Sequence, residues 1–325
     1  MAKIIMQEAK FERVPLGLYT VDKALGLKED DGIPIPSLAE IYGDEHTGKT
    51  TFVLYACSQV AGDEQEIVFC DVEGTMTKDY AANVVDNAGF NGTLRFIDSA
   101  EKVKGVMVHR PHEDMLQESM DRLMEEQVKC GLLDSIGLFQ TATAHAKDLG
   151  ERDVGQKPKT FNDASRRLAW ILRETAIAQQ EAKLYWYINH AHPNIGGPGF
   201  YTPGGLTKDK VANVRLWIRR RESDVPDGSG NFVSLLRVQK LKQGGKSSAR
   251  EGYVFFIPDY GVSREMTAVI DCVALGLANR TSANVLLGDQ KMGRIGTLAG
   301  KAEKGDHDVF QEFYNALKEY DNAEI

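Results

Sequence analysis

Short apolar runs alternate with amphipathic stretches along the first two thirds of the chain. "SLAEIY", "EIVFCDVE", "LRFID", "VKCGLLD" and "KLYWYIN" have strand length, and helix-length segments at 50–60, 79–88, 113–126 and 162–182 lie among them. Strands separated by helical segments predict strand–helix–strand crossovers, and hence an α/β fold whose central sheet begins parallel with helices on its faces. Three further runs, "NVRLWIRR", "SLLRVQKLK" and "GYVFFIP", follow without helical spacers. They predict antiparallel hairpins on one edge of the sheet. After about Gly261 the pattern becomes small and helical, which predicts a separate C-terminal subdomain over 263–325.

Two polar or glycine-rich stretches interrupt this order: "TATAHAKDLGERDVGQKPKT" and "HPNIGGPGFYTPGGLTKDK". Loops of this length inside a compact domain are usually functional or mobile. No apolar run approaches the roughly 20 residues needed to span a bilayer, and the first residues lack the apolar core of a secretion signal, so a cytoplasmic, membrane-free protein is expected. Cys57, Cys70, Cys130 and Cys272 form no CxxC pair, which points to small core residues rather than a disulfide framework or zinc ribbon. The net charge of −8 argues against indiscriminate binding to polyanions. Yet Lys208 to Arg250 holds eleven Lys/Arg against four acids, either a solvated basic face or a nucleic-acid surface.

"GDEHTGKTT" fills G-x-x-x-x-G-K-[ST] with Gly43, Gly48, Lys49 and Thr50, after a strand-like run and before a helix-like one. In that setting the glycines let backbone N–H groups of Asp44, Glu45, His46 and Thr47 turn toward phosphates, and the following helix presents its positive end. Lys49 would neutralise the outer phosphates and Thr50 would complete a magnesium shell. Asp134 ends the run "VKCGLLD", where open α/β sheets bind ligands, and is the candidate acid at the metal. Glu73 in "FCDVEG" ends another strand and is the candidate for orienting an attacking water, its alternative being an exposed turn carboxylate. "HAH" at His190 and His192 reads as a polar loop or as a metal pair.

These motifs, in this order, resemble the RecA family of ATP-dependent DNA strand-exchange proteins, including its UvsX-like phage members. The resemblance runs from about Val14 to about Leu317 and covers "GLYTVDKALG", "GIPIPSLAEIYGDEHTGKTT", "IVFCDVEGTMTKDYA", "LLDSIG", "SRRLAWILRE", "YINHAHPNIGGPGFYTPGG", "VRLWIRRR", "VQKLKQGGK" and "MGRIGTLAGKAEK". It implies a RecA-like P-loop ATPase core over 14–262, a short N-terminal oligomerisation segment over 1–13 and a small C-terminal α/β domain. DNA-binding loops would occupy about 141–161 and 191–210.

By the same resemblance Glu73 is the catalytic glutamate, and Tyr80, whose alternative is a core aromatic, stacks on adenine. Thr51 and Tyr260 join the nucleotide site. His190 stands where bacterial members carry a glutamine that senses the terminal phosphate. Arg166, Asn194, Ile195, Gly196, Gly204, Gly205 and Arg219 fall on DNA-binding positions, with Ile195 as the apolar wedge between bases. Leu206 departs from the family's polar Asn after the two glycines. Lys240 and Lys242 match a lysine pair that reaches the neighbouring subunit's ATP.

The implied activity is a DNA-dependent ATPase, using ATP and Mg2+, that forms helical homo-oligomeric filaments on single-stranded DNA and exchanges strands with homologous duplex DNA in a bacterial or phage-infected cell. Single-strand-binding and loading proteins would be further partners. A regulatory paralogue without strand exchange and a hexameric helicase-type motor are the alternatives. Bacterial members carry a longer N-terminal docking helix; here Ile4, Ile5, Met6 and Phe11 would either pair with a neighbour's sheet edge or pack on their own domain.

Overall fold

The computed structural model describes residues 10–26, 31–103, 106–140, 156–193, 200–221, 229–242, 250–281 and 284–323. Ile4, Ile5, Met6, Asn194, Ile195, Gly196 and most of the first expected loop lie outside the described residues. Nine strands form one sheet: β1 (Ser37–Gly43), β2 (Glu66–Asp71), β3 (Thr93–Ile97), β4 (Val128–Asp134), β5 (Leu184–His190), β6 (Val214–Arg221), β7 (Phe232–Leu241), β8 (Arg250–Ile257) and β9 (Gly261–Val262). Their order is β9-β8-β7-β6-β1-β5-β4-β2-β3. From β6 to β3 every pairing is parallel, and from β6 to β9 every pairing is antiparallel. The mainly parallel sheet with a hairpin edge is therefore the one the apolar spacing predicts.

The helices are α1 (Tyr19–Leu25), α2 (Lys49–Val60), α3 (Lys78–Asn87), α4 (His112–Arg122), α5 (Gln156–Glu174), α6 (Leu206–Val211), α7 (Arg264–Ala274), α8 (Ile295–Glu303) and α9 (Gln311–Ala323). The central strands bury both faces, so their alternation separates two cores rather than a core and a solvent side. In β5, Leu184, Trp186 and Ile188 join the core under α1, α2 and α3, while Tyr185 and Tyr187 join the one under α4 and α5. The Tyr185 hydroxyl meets Ser119 Oγ at 2.9 Å, which satisfies a phenol that could not otherwise be buried. Helix α2 is enclosed almost all round, as its run "FVLYACSQV" demands.

The long amphipathic stretch begins at Gln156, ends as a helix at Glu174 and continues as a π turn over Thr175–Gln179. Two pairings are not visible in the apolar pattern. Glu12–Val14 pairs with Ile33–Ile35, and Ala100–Val103 forms a hairpin with Val106–His109. Along the first of these, Lys10 N donates to Ala176 O at 3.0 Å, so the described end of the N-terminal segment is held by its own chain. Phe11 is 63% exposed at the rim of a cavity of about 150 Å3 bordered by Pro36, Leu38 and Leu172. All four cysteines are free and buried, as expected.

Residues 264–323 contribute α7, α8, α9 and a three-stranded sheet, Ala278–Arg280, Val285–Leu287 and Gln290–Gly293. Their apolar side chains share a core with Val233, Phe255 and Ile257 of β7 and β8. A second tie to the main sheet's helices is polar: Thr20 of α1 donates from its hydroxyl at 2.6 Å and its N–H at 3.2 Å to the buried Asp271 of α7.

Burial pushes the Asp271 carboxyl up to about 7, against the Thr20 hydrogen bonds and with help from Asp22. A carboxyl whose folded pKa exceeds its unfolded value of about 4 keeps its proton in the folded state, so stability falls as pH rises between about 4 and 7 and levels off above. Asp271→Asn is expected to flatten that slope, worth on the order of a few kcal/mol. Urea unfolding of both proteins at pH 5 and pH 7.5 reads the difference.

Candidate nucleotide-binding site

Strand β1 ends at Gly43 because nothing larger fits: a Cβ there would lie 2.1 Å from the Ile218 carbonyl oxygen of the parallel neighbour β6. The loop then turns through His46, with φ 57°, and Gly48, with φ 84°. A Cβ on Gly48 would meet the Phe256 ring at 2.7 Å, so this glycine is required by both backbone angle and space. Thr47 Oγ1 donates to the Asp44 carbonyl at 2.9 Å and stiffens the turn.

Lys49, buried at the start of α2, donates to the Gly43 carbonyl at 3.2 Å and the Asp44 carbonyl at 2.6 Å. Burial lowers its pKa, while the charges of Asp134 and Glu73 act the other way. Thr50 Oγ1 donates to Asp134 Oδ2 at 2.5 Å. Burial raises the Asp134 carboxyl to about 7; the Thr50 bond opposes this, and Glu73 and Asp71 add to it. Two hard oxygen donors side by side, one held against ionisation by burial and then by neighbouring negative charge, suit a divalent cation that also takes water and phosphate ligands. Among the described residues no group of three His, Cys, Asp or Glu is placed to hold a metal, so an all-protein cage is not present there, at His190 and His192 included.

Glu73 and His190 complete this edge. His190 Nε2 stands 3.8 Å from Glu73 Oε2, and that contact holds the Glu73 carboxyl below its ordinary value against partial burial. The Glu73 N–H donates to the Asp134 carbonyl at 2.9 Å, which ties the end of β2 to the end of β4. A cavity of about 590 Å3 is lined by His46, Lys49, Thr50, Glu73, Asp134 and His190. A second, of about 390 Å3, opens on the other side of Glu73 and His190. A larger hollow of about 690 Å3 between α1, α7 and α9 has none of these groups.

The other expected residues divide. The Tyr80 hydroxyl meets Thr51 Oγ1 at 3.0 Å, and its ring packs partly on the core. Tyr260 is half-buried beside α7, and its carbonyl accepts from Asn87 Nδ2 at 3.0 Å. Lys240 and Lys242 do not line the cavity; Lys240 Nζ donates to the Lys210 carbonyl at 3.1 Å and also to that of Asp209, and Lys242 Nζ donates to that of Val211 at 2.7 Å. Arg166 is exposed on α5, 3.6 Å from Asp163. Gly204 and Gly205 both have positive φ, 103° and 84°. Arg219 stacks over Trp217 at 5.4 Å.

Sequence spacing missed three contributors. Arg220 and Phe232 line the 590 Å3 cavity. Glu40, three residues before Gly43 and fully buried, accepts from Asn189 at 2.9 Å, from Arg215 at 2.6 Å and from the buried Lys208. Asn189 also accepts from the His190 N–H at 3.0 Å and donates to the Pro203 carbonyl at 2.9 Å.

A glycine-rich loop between a central parallel strand and a buried helix, with acids at the ends of neighbouring strands, defines a P-loop α/β protein. The sequence model of the RecA N-terminal domain matches residues 2–250. This chain belongs to the RecA family. It is 27% identical to Protein RecA of Ruminococcus albus over 94% of this chain and 72% of that protein. It is 25% identical to Protein RecA of Tropheryma whipplei over 89% of this chain and 61% of that one, and 27% identical to Protein RecA of Herpetosiphon aurantiacus over 89% and 75%.

Removing one member of a buried charge cluster leaves the others uncompensated, which costs about 3–5 kcal/mol. Glu40→Gln is therefore expected to lower unfolding stability by roughly that amount. Adding Lys208→Met is expected to restore part of the loss. Denaturant midpoints of the two single variants and the double variant measure the coupling.

Proposed function

We propose that the chain is an ATP-dependent DNA recombinase that forms filaments on single-stranded DNA and promotes homologous pairing and strand exchange. The observation that carries the reading is the Thr50–Asp134 contact at the foot of the loop with Glu73 and His190 beside it, in one cavity at the C-terminal ends of parallel strands. Family membership supports the same reading. No described helix is long and apolar enough to cross a membrane.

Magnesium, when bound with ATP, supplies positive charge across the outer phosphates. Thr50 and Asp134 are the residues that would hold it. Lys49 releases two backbone carbonyls and turns its charge to the phosphates. Glu73 orients the attacking water and accepts its proton at the carboxylate, and His190 beside it responds to the terminal phosphate. Lys240 and Lys242 of a neighbouring protomer add positive charge as the bond breaks. Arg166, Gly204, Gly205 and Arg219, with Asn194, Ile195 and Gly196, contact DNA. Tyr80 stacks on the base, and Tyr260 joins the nucleotide site.

Lys49→Ala is expected to abolish nucleotide binding and ATP-dependent DNA binding together. Glu73→Gln is expected to keep ATP, lose hydrolysis by at least about a hundredfold and stay on DNA. Parent-rate hydrolysis by Glu73→Gln would remove the catalytic assignment. Negative-stain microscopy with single-stranded DNA and a non-hydrolysable ATP analogue tests the assembly. Helical filaments support the recombinase, closed rings support a helicase-type motor, and isolated particles support a regulatory relative.

A further inference from the structure

The face of β6 that buries Val214, Leu216 and Ile218 beneath α2 carries one more side chain at its end, Arg220. Strand alternation puts Arg220 on that face and sends Arg219 and Arg221 to the other, where they stack over Trp217 and Tyr253. Three consecutive arginines thus address two different surfaces.

Arg220 is braced against the phosphate loop by two routes. Across the β6–β7 ladder it pairs with Ser234, whose hydroxyl donates to the Thr47 carbonyl at 2.9 Å. Its guanidinium lies 4.5 Å from the centroid of the Phe232 ring. Phe232 stacks on Phe256 at 4.8 Å and 15°, and Phe256 is the ring that fills the space above Gly48. A cation held over an aromatic face keeps its N–H groups free for an anion.

The cavity's charge calls for such a group. Glu45, Glu73 and Asp134 line it, and Lys49 and Arg220 are its only Lys or Arg among the described residues. Lys49 is buried and already donates to two carbonyls. Arg220 is exposed to the cavity and takes part in no ion pair among the described residues.

We infer that Arg220 is a second cationic ligand, supplied by the same protomer, for the phosphate chain of the nucleotide held by this loop, and that it is not part of the DNA surface that carries Arg219. The inference rests on the nucleotide reading of the cavity. Planar guanidinium matches paired phosphate oxygens, so a lysine would replace it only in part.

The test is titration with ATP and ADP fluorescently labelled on the ribose, with magnesium and without DNA. Arg220→Ala is expected to weaken both about tenfold, Arg220→Lys less, and Phe232→Leu to an intermediate extent because the brace is lost. The deficit of Arg220→Ala should shrink as salt rises, and thermal unfolding should match the parent. Parent nucleotide affinity in Arg220→Ala, with single-stranded DNA binding weakened, assigns the residue to the DNA surface and overturns the inference. If Lys49→Ala loses nucleotide while Arg220→Ala does not, only this inference falls. If the parent itself binds no nucleotide, the reading of the cavity falls and the inference with it.

Discussion

Everything around the loop depends on a single buried carboxylate. Glu40 sits in the central strand with both faces covered, where burial alone would drive it neutral; the charges of Lys208 and Arg215 outweigh that cost and hold it below its ordinary range. Its partners come from three other elements: Asn189 from β5, Lys208 from α6 and Arg215 from β6; Thr202 in turn accepts from both Lys208 at 3.0 Å and Arg215 at 3.2 Å. A buried charge accepts few alternative partners, so the strands cannot slip and α6 cannot lift without leaving it unpaired.

Two functional elements inherit their positions from that constraint. Gly43 begins the loop three residues beyond Glu40, at the register where β6 presses its Ile218 carbonyl against the turn. Asn189 binds Glu40 on one side and, through its own carbonyl, the His190 N–H on the other, while its amide also reaches Pro203. The strand end that carries His190 and the segment that precedes Gly204 are therefore fixed by the same side chain.

How much of this was legible in the sequence follows from how local each signal is. The parallel strands and the hairpin edge were, because apolar spacing reports them directly. The loop was too, because Gly43, Gly48, Lys49 and Thr50 are close in sequence and each has a separate physical duty. Asp134 and Glu73 were legible as strand-ending acids, and the fold brings them to one edge. Glu40 was not: inside "SLAEIY" it reads as one polar residue in an apolar run, and its cations lie more than 160 positions away. Arg220 was hidden among three arginines that only the pleat and the ladder with Ser234 separate. The hairpin at Ala100–Val103 was missed because Glu101 and Lys102 within it break the apolar run that would announce a strand. The core shared by Val233, Phe255 and Ile257 with α7 and α9 is equally invisible to a boundary drawn from composition.

The lysine pair shows what an isolated protomer does with groups proposed to serve a neighbour. Lys240 and Lys242 close the C-terminal end of α6, where Asp209, Lys210 and Val211 offer carbonyls and the partial negative charge of a helix end. Burial and mutual repulsion bring Lys240 down to about 8, with Arg215 adding to the repulsion, so its cation is held less firmly than an exposed lysine's. Hydrogen bonds from charged donors are worth roughly 1.5–3 kcal/mol each, and a lysine that reaches across to a phosphate must give them up. A triphosphate offers more negative charge than a diphosphate, and both offer more than neutral carbonyls. For the proposed trans role, the exchange of partners would therefore favour the bridged state more strongly while the terminal phosphate is present. Helix α6 also carries Lys208, so the carbonyls that hold the lysine pair lie on the same short helix as the cation paired with the buried Glu40.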